Sequence, residues 1–228
     1  MKNKKGIERL VVKVGTGFLF DRLSDGKYFL KEDQMDAIVQ EASIISDKKE
    51  LIIVSSGAVA SAAWNQGLKE IPEDDYEKAQ LSGEGQYVLM NQYAKRFSGH
   101  RKICAQVLIS GDDLEISKRR RNLRKNQEGW LRKGVIAIYN ENDPITIDEI
   151  TFGDNDILAA NLARTMDADL LVMLSNPQEN LGTGGGESKI RARKILSKEG
   201  IDMAIINGQY EKENDIYRPK IREVLGFD

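Results

Sequence analysis

The sequence predicts an α/β fold in which crossover helices cover one largely parallel sheet. Short β-branched runs alternate along the 228 residues with longer segments of helical period, the pattern of strands joined by helices. The predicted strands are residues 10–14, 51–54, 103–108, 135–139, 170–174 and 203–206. Six such strands fit one domain of ordinary size, so we expect residues 1–228 to form a single domain.

Three helices are predicted from apolar residues that recur at three- and four-residue intervals. The first places one apolar face on the sheet through Met35, Ile38, Val39, Ala42 and Ile45. The second is predicted from about residue 74 to 97, and the third over 113–131. No internal repeat, low-complexity tract or proline-rich linker divides the chain.

Composition argues against several classes of protein. Thirty-four basic and 36 acidic residues give a formal charge of −2, which argues against a dedicated nucleic-acid binder. The one cysteine, Cys104, excludes an intramolecular disulfide and fits a reducing compartment. No apolar run approaches the roughly 20 residues that cross a bilayer. We therefore expect a cytoplasmic protein with no membrane and no nucleic-acid partner.

Several familiar functional signatures are missing from the sequence. It contains no G-x-x-x-x-G-K-[ST] segment, and Phe20 stands where a dinucleotide fingerprint that begins at Gly15 requires its third glycine. The one histidine, His100, lies in a polar loop and is expected to be solvated. The basic run 118–121 is expected to be a solvated helix face, since no aromatic residues interleave with it.

Ligands of parallel sheets bind beyond the carboxyl ends of the strands. Glycines, amides, lysines and carboxylates dominate the segments at those ends: 13–17, 55–58, 140–143, 152–156 and 182–189. A tight turn or a helix cap could explain some of them. Lys13, however, lies inside an apolar strand, where a charge is costly without a partner or ligand. The glycine-rich run that ends in Ser188 and Lys189 fits an anion-binding nest.

In this order, the segments resemble the amino acid kinase family. The matches are VVKVGT at 11–16, IVSSGAVA at 53–60, NEND at 140–143, FGDND at 152–156 and GTGG at 182–185. NEND followed by FGDND resembles the members that phosphorylate L-glutamate rather than acetylglutamate, aspartate or uridylate. The resemblance implies a three-layer αβα sandwich with a mainly parallel central sheet. It also implies ATP and Mg²⁺ as cofactors, the γ-carboxylate of L-glutamate as acceptor in the first step of proline synthesis, and a homo-oligomer.

The resemblance further implies a role for each matched residue. Lys13 and Lys189 would contact the transferring phosphate and the leaving side of the nucleotide, and Asp156 would orient these lysines. Residues implied to hold glutamate are Ser56, Gly57, Asp143 and Asn155. Residues implied to bind the nucleotide are Lys13, Gly15, Gly17, Ser175, Asn176, Thr183, Gly184, Gly185, Gly186, Glu187, Ser188 and Lys189. No protein ligand to a metal is expected, and no general base is needed because a carboxylate is already nucleophilic.

The sequence departs from the family pattern on the nucleotide side. Ser175 and Asn176 replace a usual Thr-Asp pair, and only residues 177–181 precede the glycine run, so much of the adenine-side wall is expected to be missing. We also expect the C-terminal PUA domain of many bacterial members to be absent.

Three functions remain open from the sequence. An active glutamate-phosphorylating enzyme is favoured by the two lysines and Asp156, since a binding module does not need charges directed at a transition state. A weak or inactive relative that binds a ligand as a regulatory subunit is favoured by the shortened segment. A kinase for another small acid is disfavoured by Asp143 and Asn155.

Overall fold

The computed structural model describes residues 6–147, 155–175 and 186–207, together with 212–213, 216–217, 221 and 225. The strands are β1 (Arg9–Val14), β2 (Phe20–Arg22), β3 (Tyr28–Leu30), β4 (Glu50–Ser55), β5 (Ile103–Ile109), β6 (Val135–Glu141), β7 (Leu170–Ser175), β8 (Asp202–Asn207), β9 (Lys212–Glu213) and β10 (Ile216–Tyr217). All six predicted strands are confirmed, each longer by one or two residues. β2 with β3, and β9 with β10, form two small antiparallel pairs.

The six long strands form one sheet in the order β5-β6-β4-β1-β7-β8, and every neighbouring pair is parallel. β1 is central, with β4 on one side and β7 on the other. The chain moves outward from β1 through β4, and later crosses back to β7 on the opposite side. Connections on the two sides of β1 therefore diverge, which opens a crevice at the carboxyl ends of β1, β4 and β7.

Helices cover both faces of this sheet. They are α1 (Thr16–Leu19), α2 (Glu32–Ser46), α3 (Ala58–Gln66), α4 (Asp75–Gly99), α5 (Gly111–Glu115), α6 (Ser117–Arg132), α7 (Asn155–Thr165) and α8 (Gly186–Glu199). Side chains of α2, α3 and α4 pack in one buried cluster, and those of α5, α7 and α8 pack in a second, with α6 against it. The αβα sandwich is confirmed.

The prediction of one continuous helix over 113–131 is wrong. The segment expected as a single helix over 113–131 is divided into α5 and α6 at Ile116, whose backbone is extended with ψ 110°. Ser110 and Asp113 form a reciprocal capping box that ends the preceding strand and starts α5. The local cap determines this short helix, which the apolar periodicity alone does not distinguish from α6.

Strand alternation decides which face of the sheet each β1 side chain occupies. Leu10, Val12 and Val14 lie in the cluster under α2, α3 and α4, whereas Val11 lies in the cluster under α7 and α8. Lys13 follows the same alternation as Val11. Its side chain is therefore directed towards the face that α7 and α8 cover.

Close packing of two helices sets the position of α4. A Cβ atom on Gly85 would lie 1.8 Å from the carbonyl oxygen of Ala58 at the start of α3, so glycine alone permits this approach. The contact presses α4 against α3 and brings the next residue, Gln86, towards the sheet. Within the described ranges, no helix is both long and apolar enough to cross a membrane.

Candidate active site

Two lysines from opposite ends of the chain meet at one carboxylate. Lys13 Nζ lies 2.6 Å from Asp156 Oδ1, and Lys189 Nζ lies 3.2 Å from Asp156 Oδ2. The Ser188 hydroxyl also donates to Asp156 Oδ2, at 2.9 Å. Asp156 is 0% exposed and Lys13 6% exposed, so the central pair is withdrawn from water. The structure thus places two positive charges and one negative charge together at this edge of the sheet.

Each of these groups is positioned by a different element. Lys13 comes from the end of β1, Asp156 from the first turn of α7, and Ser188 and Lys189 from the first turn of α8. α7 and α8 pack against each other, which brings their first turns together. The first turns of both helices also direct backbone N–H groups towards the same edge, where they favour anions.

The charges around Asp156 control its protonation. Burial alone raises the pKa of this carboxyl, but attraction to Lys13, the Lys13 hydrogen bond, attraction to Lys189 and the Ser188 hydrogen bond outweigh it and hold the pKa below the usual value. Asp156 is therefore ionised at neutral pH. Two ammonium groups, those of Lys13 and Lys189, thus lie beside this one ionised carboxylate.

Amide side chains dominate the neighbouring part of the site. Asn155 Nδ2 donates to Ser56 Oγ at 2.9 Å and to Asn140 Oδ1 at 3.0 Å. Asn140 Nδ2 in turn donates to Gln86 Oε1 at 2.8 Å, and the backbone N–H of Glu141 donates to Asn140 Oδ1 at 2.9 Å. Asn155 Oδ1 is buried and accepts no hydrogen bond from the described residues.

The turn after β4 holds Ser56 against the end of β1. The backbone N–H of Ser56 donates to the carbonyl of Val14 at 2.9 Å, which places Ser56 beyond the carboxyl end of the sheet. Gly57 has φ +108°, a left-handed conformation that side chains disfavour, and a Cβ there would lie 3.1 Å from the Phe20 ring. Glycine at 57 thus permits both the turn and its packing.

Asp143 lies in the 3₁₀ turn Asp143–Ile145 that follows β6. The Ser82 hydroxyl of α4 donates to Asp143 Oδ2. Burial raises the pKa of the Asp143 carboxyl, and this hydrogen bond lowers it by less, so the net pKa lies above the usual value.

The described nucleotide-side residues lie at the ends of β1 and β7 and at the start of α8. Gly15 donates its N–H to the carbonyl of Leu174 at 3.1 Å, and the buried Ser175 ends β7. The carbonyl of Gly17 accepts a hydrogen bond from Lys31 Nζ at 2.7 Å. Gly186 and Glu187 are exposed at the start of α8. Four further predicted residues, Asn176, Thr183, Gly184 and Gly185, lie outside the described residues.

Residues for which the sequence predicts no catalytic or binding role lie away from the cluster of Lys13, Asp156 and Lys189. His100 is exposed at the end of α4, and three of the four basic residues in 118–121 are exposed on α6. In the ranges that the structure describes, no group of three or more His, Cys, Asp or Glu side chains could hold a metal ion.

No role is predicted from the sequence for Gln86, Ser82 or the side chain of Asn140. Gln86 and Ser82 are spaced four residues apart on the buried face of α4, among Leu81, Leu89 and Tyr93. Polar residues on an otherwise apolar helix face are a detectable signal, because burial without partners is costly. Their partners are not detectable in this way, since they come from β6 and the turn after it.

The sequence model of the amino acid kinase family matches residues 8–178. A glutamate 5-kinase of Carboxydothermus hydrogenoformans is 36% identical, over 94% of this chain and 66% of that protein. A glutamate 5-kinase of Clostridium acetobutylicum is 34% identical, over 100% of this chain and 94% of that protein. The chain therefore spans slightly less than two thirds of the first relative and nearly all of the second. The second alignment extends over 262 positions, so that relative has residues without a counterpart here.

Two solved structures share the fold. An isopentenyl phosphate kinase superposes with a TM-score of 0.62 at 13% identity, and covers 97% of both chains. UMP kinase from Ureaplasma parvum superposes with a TM-score of 0.59 at 12% identity, over 98% of this chain and 97% of that one.

Proposed function

Because the chain belongs to the amino acid kinase family, we propose that it transfers the γ-phosphate of ATP to the γ-carboxylate of L-glutamate, the first step of proline synthesis. The relatives named glutamate 5-kinase support this choice of substrate within the family. The product is an acyl phosphate, γ-glutamyl phosphate, together with ADP.

The convergence of Lys13 and Lys189 on the buried Asp156 is the observation that carries the proposal. Two ammonium groups held at one buried carboxylate create a local positive field, which attracts an anion. Phosphoryl transfer supplies such an anion, since negative charge spreads over the transferring group and the leaving oxygen. A module that only binds amino acids has no need of two lysines that meet at one buried carboxylate.

The reaction requires little covalent catalysis by the protein. One oxygen of the substrate γ-carboxylate attacks the γ-phosphorus, and the bond from that phosphorus to the β–γ bridging oxygen breaks. The electron pair stays on that oxygen, which leaves as part of ADP, and no proton moves. Lys13 and Lys189 stabilise the charge on the transferring group and the leaving oxygen, and Asp156 keeps both ammonium groups in place before the substrates arrive.

The amide-rich part of the site matches the end of glutamate that carries the α-carboxylate and the α-ammonium group. Ser56, Asn155 and Asp143 offer a hydroxyl, an amide oxygen and a carboxylate, which match an α-carboxylate and an α-ammonium group. The left-handed turn at Gly57 leaves its backbone unobstructed by a side chain next to Ser56. In this arrangement the γ-carboxylate extends towards the lysines.

Mg²⁺ in proteins often binds through one or two carboxylates together with substrate phosphates. Asp156 already serves two ammonium groups, so the described residues fit an ion that arrives with ATP and is held mainly by phosphate oxygens. When bound, Mg²⁺ would neutralise part of the phosphate charge. Ser175, Gly15 and the first turn of α8 are proposed to hold the nucleotide, together with the predicted residues of 176–185.

We also propose that the chain acts as one domain, as a homo-oligomer and in the cytoplasm. The continuous sheet from β5 to β8 supports one domain. A single cysteine supports a reducing compartment. The family resemblance supports the oligomer.

The test is an assay that traps the acyl phosphate with hydroxylamine, run with L-glutamate, L-aspartate and acetylglutamate. Lys13→Ala and Lys189→Ala are each expected to reduce kcat about 100-fold or more, because each removes a charge that acts in the transition state. Lys194→Ala is the matched control, since Lys194 is exposed on the same helix as Lys189. It is expected to leave kcat within about twofold of the unaltered chain.

Each alternative function has its own outcome in this assay. Turnover with another acid in place of L-glutamate would identify a different kinase. Calorimetric binding of L-glutamate or ATP without turnover would identify a ligand-binding subunit. Full activity in both lysine variants would refute the proposed role of the lysine cluster.

A further inference from the structure

The amide groups near the substrate end form one continuous hydrogen-bonded chain. It runs from Gln86 on α4 through Asn140 at the end of β6 and Asn155 on α7 to Ser56 after β4. Gln86 and Asn140 are 6% and 2% exposed, so the first link is protected from water. We name these four residues the amide relay.

A backbone group determines the direction of every bond in the relay. The N–H of Glu141 can only donate, so the Asn140 side-chain atom that it contacts must be the oxygen. Asn140 then presents its NH₂ group to Gln86, which must accept through Oε1. Asn155 must contact the same Asn140 oxygen through its own NH₂ group.

This direction sets what the relay presents to a ligand. Because Asn155 uses Nδ2 for both Asn140 and Ser56, its Oδ1 is left as an acceptor, and no described residue donates to it. Ser56 Oγ accepts from Asn155, so its own hydrogen is available to be donated. The relay thus ends in one acceptor and one donor, the complement of an α-ammonium and an α-carboxylate.

We propose that Gln86 is a positioning residue that makes the site selective for an α-amino acid, by holding Asn140 and thereby Asn155 with the amide oxygen directed at the substrate ammonium group. This inference rests on the proposed function and adds to it the origin of the selectivity. Gln86 itself does not touch the substrate. It acts from behind the site, where it also lines a groove of about 480 Å³ between α4 and β5.

The role of Gln86 follows from the cost of an unsatisfied buried donor. Without the Gln86 oxygen, Asn140 Nδ2 would lose its acceptor in a buried position, a cost that exceeds the net value of an ordinary hydrogen bond. Asn140 would then turn to find another partner and release Asn155. The Asn155 oxygen would lose its fixed direction, although Ser56 would still be present to bind a carboxylate.

Glutarate has both carboxylates of glutamate and no ammonium group. It therefore distinguishes loss of the contact to the ammonium group from a general loss of binding at the site. In Gln86→Leu we expect the KM for L-glutamate to rise about tenfold, the value of one charge-assisted hydrogen bond. The inhibition constant of glutarate against L-glutamate and the KM for ATP are expected to stay within about twofold. The affinity ratio between L-glutamate and glutarate therefore falls about tenfold.

Two further variants complete the experiment. Gln86→Glu keeps an accepting oxygen in either protonation state, so it is expected to restore most of the preference for L-glutamate over glutarate. Asn91→Leu removes an exposed amide that lines the same groove without belonging to the relay, and is expected to leave all three constants unchanged.

Failure of the inference and failure of the proposed function give different results. If Gln86→Leu weakens the binding of L-glutamate and of glutarate equally, Gln86 has only a structural role and the inference is wrong. The same conclusion follows if Gln86→Glu has the same constants as Gln86→Leu. If the unaltered chain shows no turnover with L-glutamate, the proposed function is wrong and the inference is lost with it.

Discussion

The two ends of the candidate site differ in chemistry although they meet at consecutive residues. Asp156 belongs to a charged end with Lys13 and Lys189, whereas Asn155 belongs to the uncharged amide relay. Successive residues of an α-helix point about 100° apart, so the first turn of α7 sends one side chain to each end. A single helix start therefore aligns the two halves of the site.

This contrast shows how the two tasks of a kinase impose different requirements. Stabilising a migrating phosphoryl group needs a positive field, and the charged end supplies it with the ammonium groups of Lys13 and Lys189. Distinguishing an amino acid from other acids needs donors and acceptors in a fixed arrangement, and neutral amides supply these without disturbing the field. The following three changes test whether the two ends behave as differently as their chemistry indicates.

Asp156→Asn is expected to have the largest effect on stability. Removing the carboxylate leaves the buried Lys13 ammonium beside the Lys189 ammonium, and loss of one partner from a buried ionic cluster costs about 3–5 kcal/mol. Urea unfolding at pH 7 measures this change. Asp167→Asn is the control, because the ion pair between Asp167 and Arg124 is exposed and is expected to contribute less than about 1 kcal/mol.

The effect of Asp156→Asn also depends on pH. The folded state holds the pKa of Asp156 below its unfolded value, so the ionised carboxyl contributes stability at every pH above that unfolded value. The contribution is lost as the pH falls through the lower, folded-state pKa. We therefore expect the difference between variant and unaltered chain to be constant from pH 7 to about pH 5 and to shrink below about pH 4. A difference that persists unchanged in strong acid would contradict the charged interpretation.

Asn140→Leu is expected to have an intermediate effect that does not depend on pH. It leaves Gln86 Oε1, Asn155 Nδ2 and the Glu141 N–H without their Asn140 partner, and buried polar groups without partners cost about 1–3 kcal/mol each before relaxation. Urea unfolding at pH 7 and pH 5 should give the same loss. Asn122→Leu, at an exposed position on α6, is expected to change stability by less than about 0.5 kcal/mol.

Asp143→Asn is expected to have the smallest effect on stability and the opposite sign. Burial raises the pKa of Asp143 in the folded state, so its ionised form disfavours folding at neutral pH. The neutral variant should show a slightly higher urea midpoint at pH 7, an advantage that disappears below the ordinary carboxyl pKa. Its KM for L-glutamate should nevertheless rise, because a proposed partner of the ammonium group is lost. A lower midpoint at pH 7 would show that the ionised carboxyl stabilises the fold.

Much of the framework is predictable because local chemistry determines it. The apolar β-branched runs predict all six long strands, and Lys13 is conspicuous as the charge within one of them. The division between α5 and α6 is not predictable from periodicity, since it occurs where the backbone of the single residue Ile116 is extended. The contact of Gln86 with Asn140 is not predictable either, because it depends on the approach of α4 to α3 at Gly85.

The sequence alone determined the strands, the parallel sheet and the residue types at its carboxyl edge, because these follow from nearest-neighbour periodicity and the cost of burying charge. That Lys13 and Lys189 share Asp156, and that Gln86 reaches Asn140, is evident only once the chain is folded. Such pairings join residues distant in the chain, and their partners are selected by how helices pack on the sheet. The direction of the amide relay depends in addition on one backbone N–H, which has no signature in the side-chain sequence.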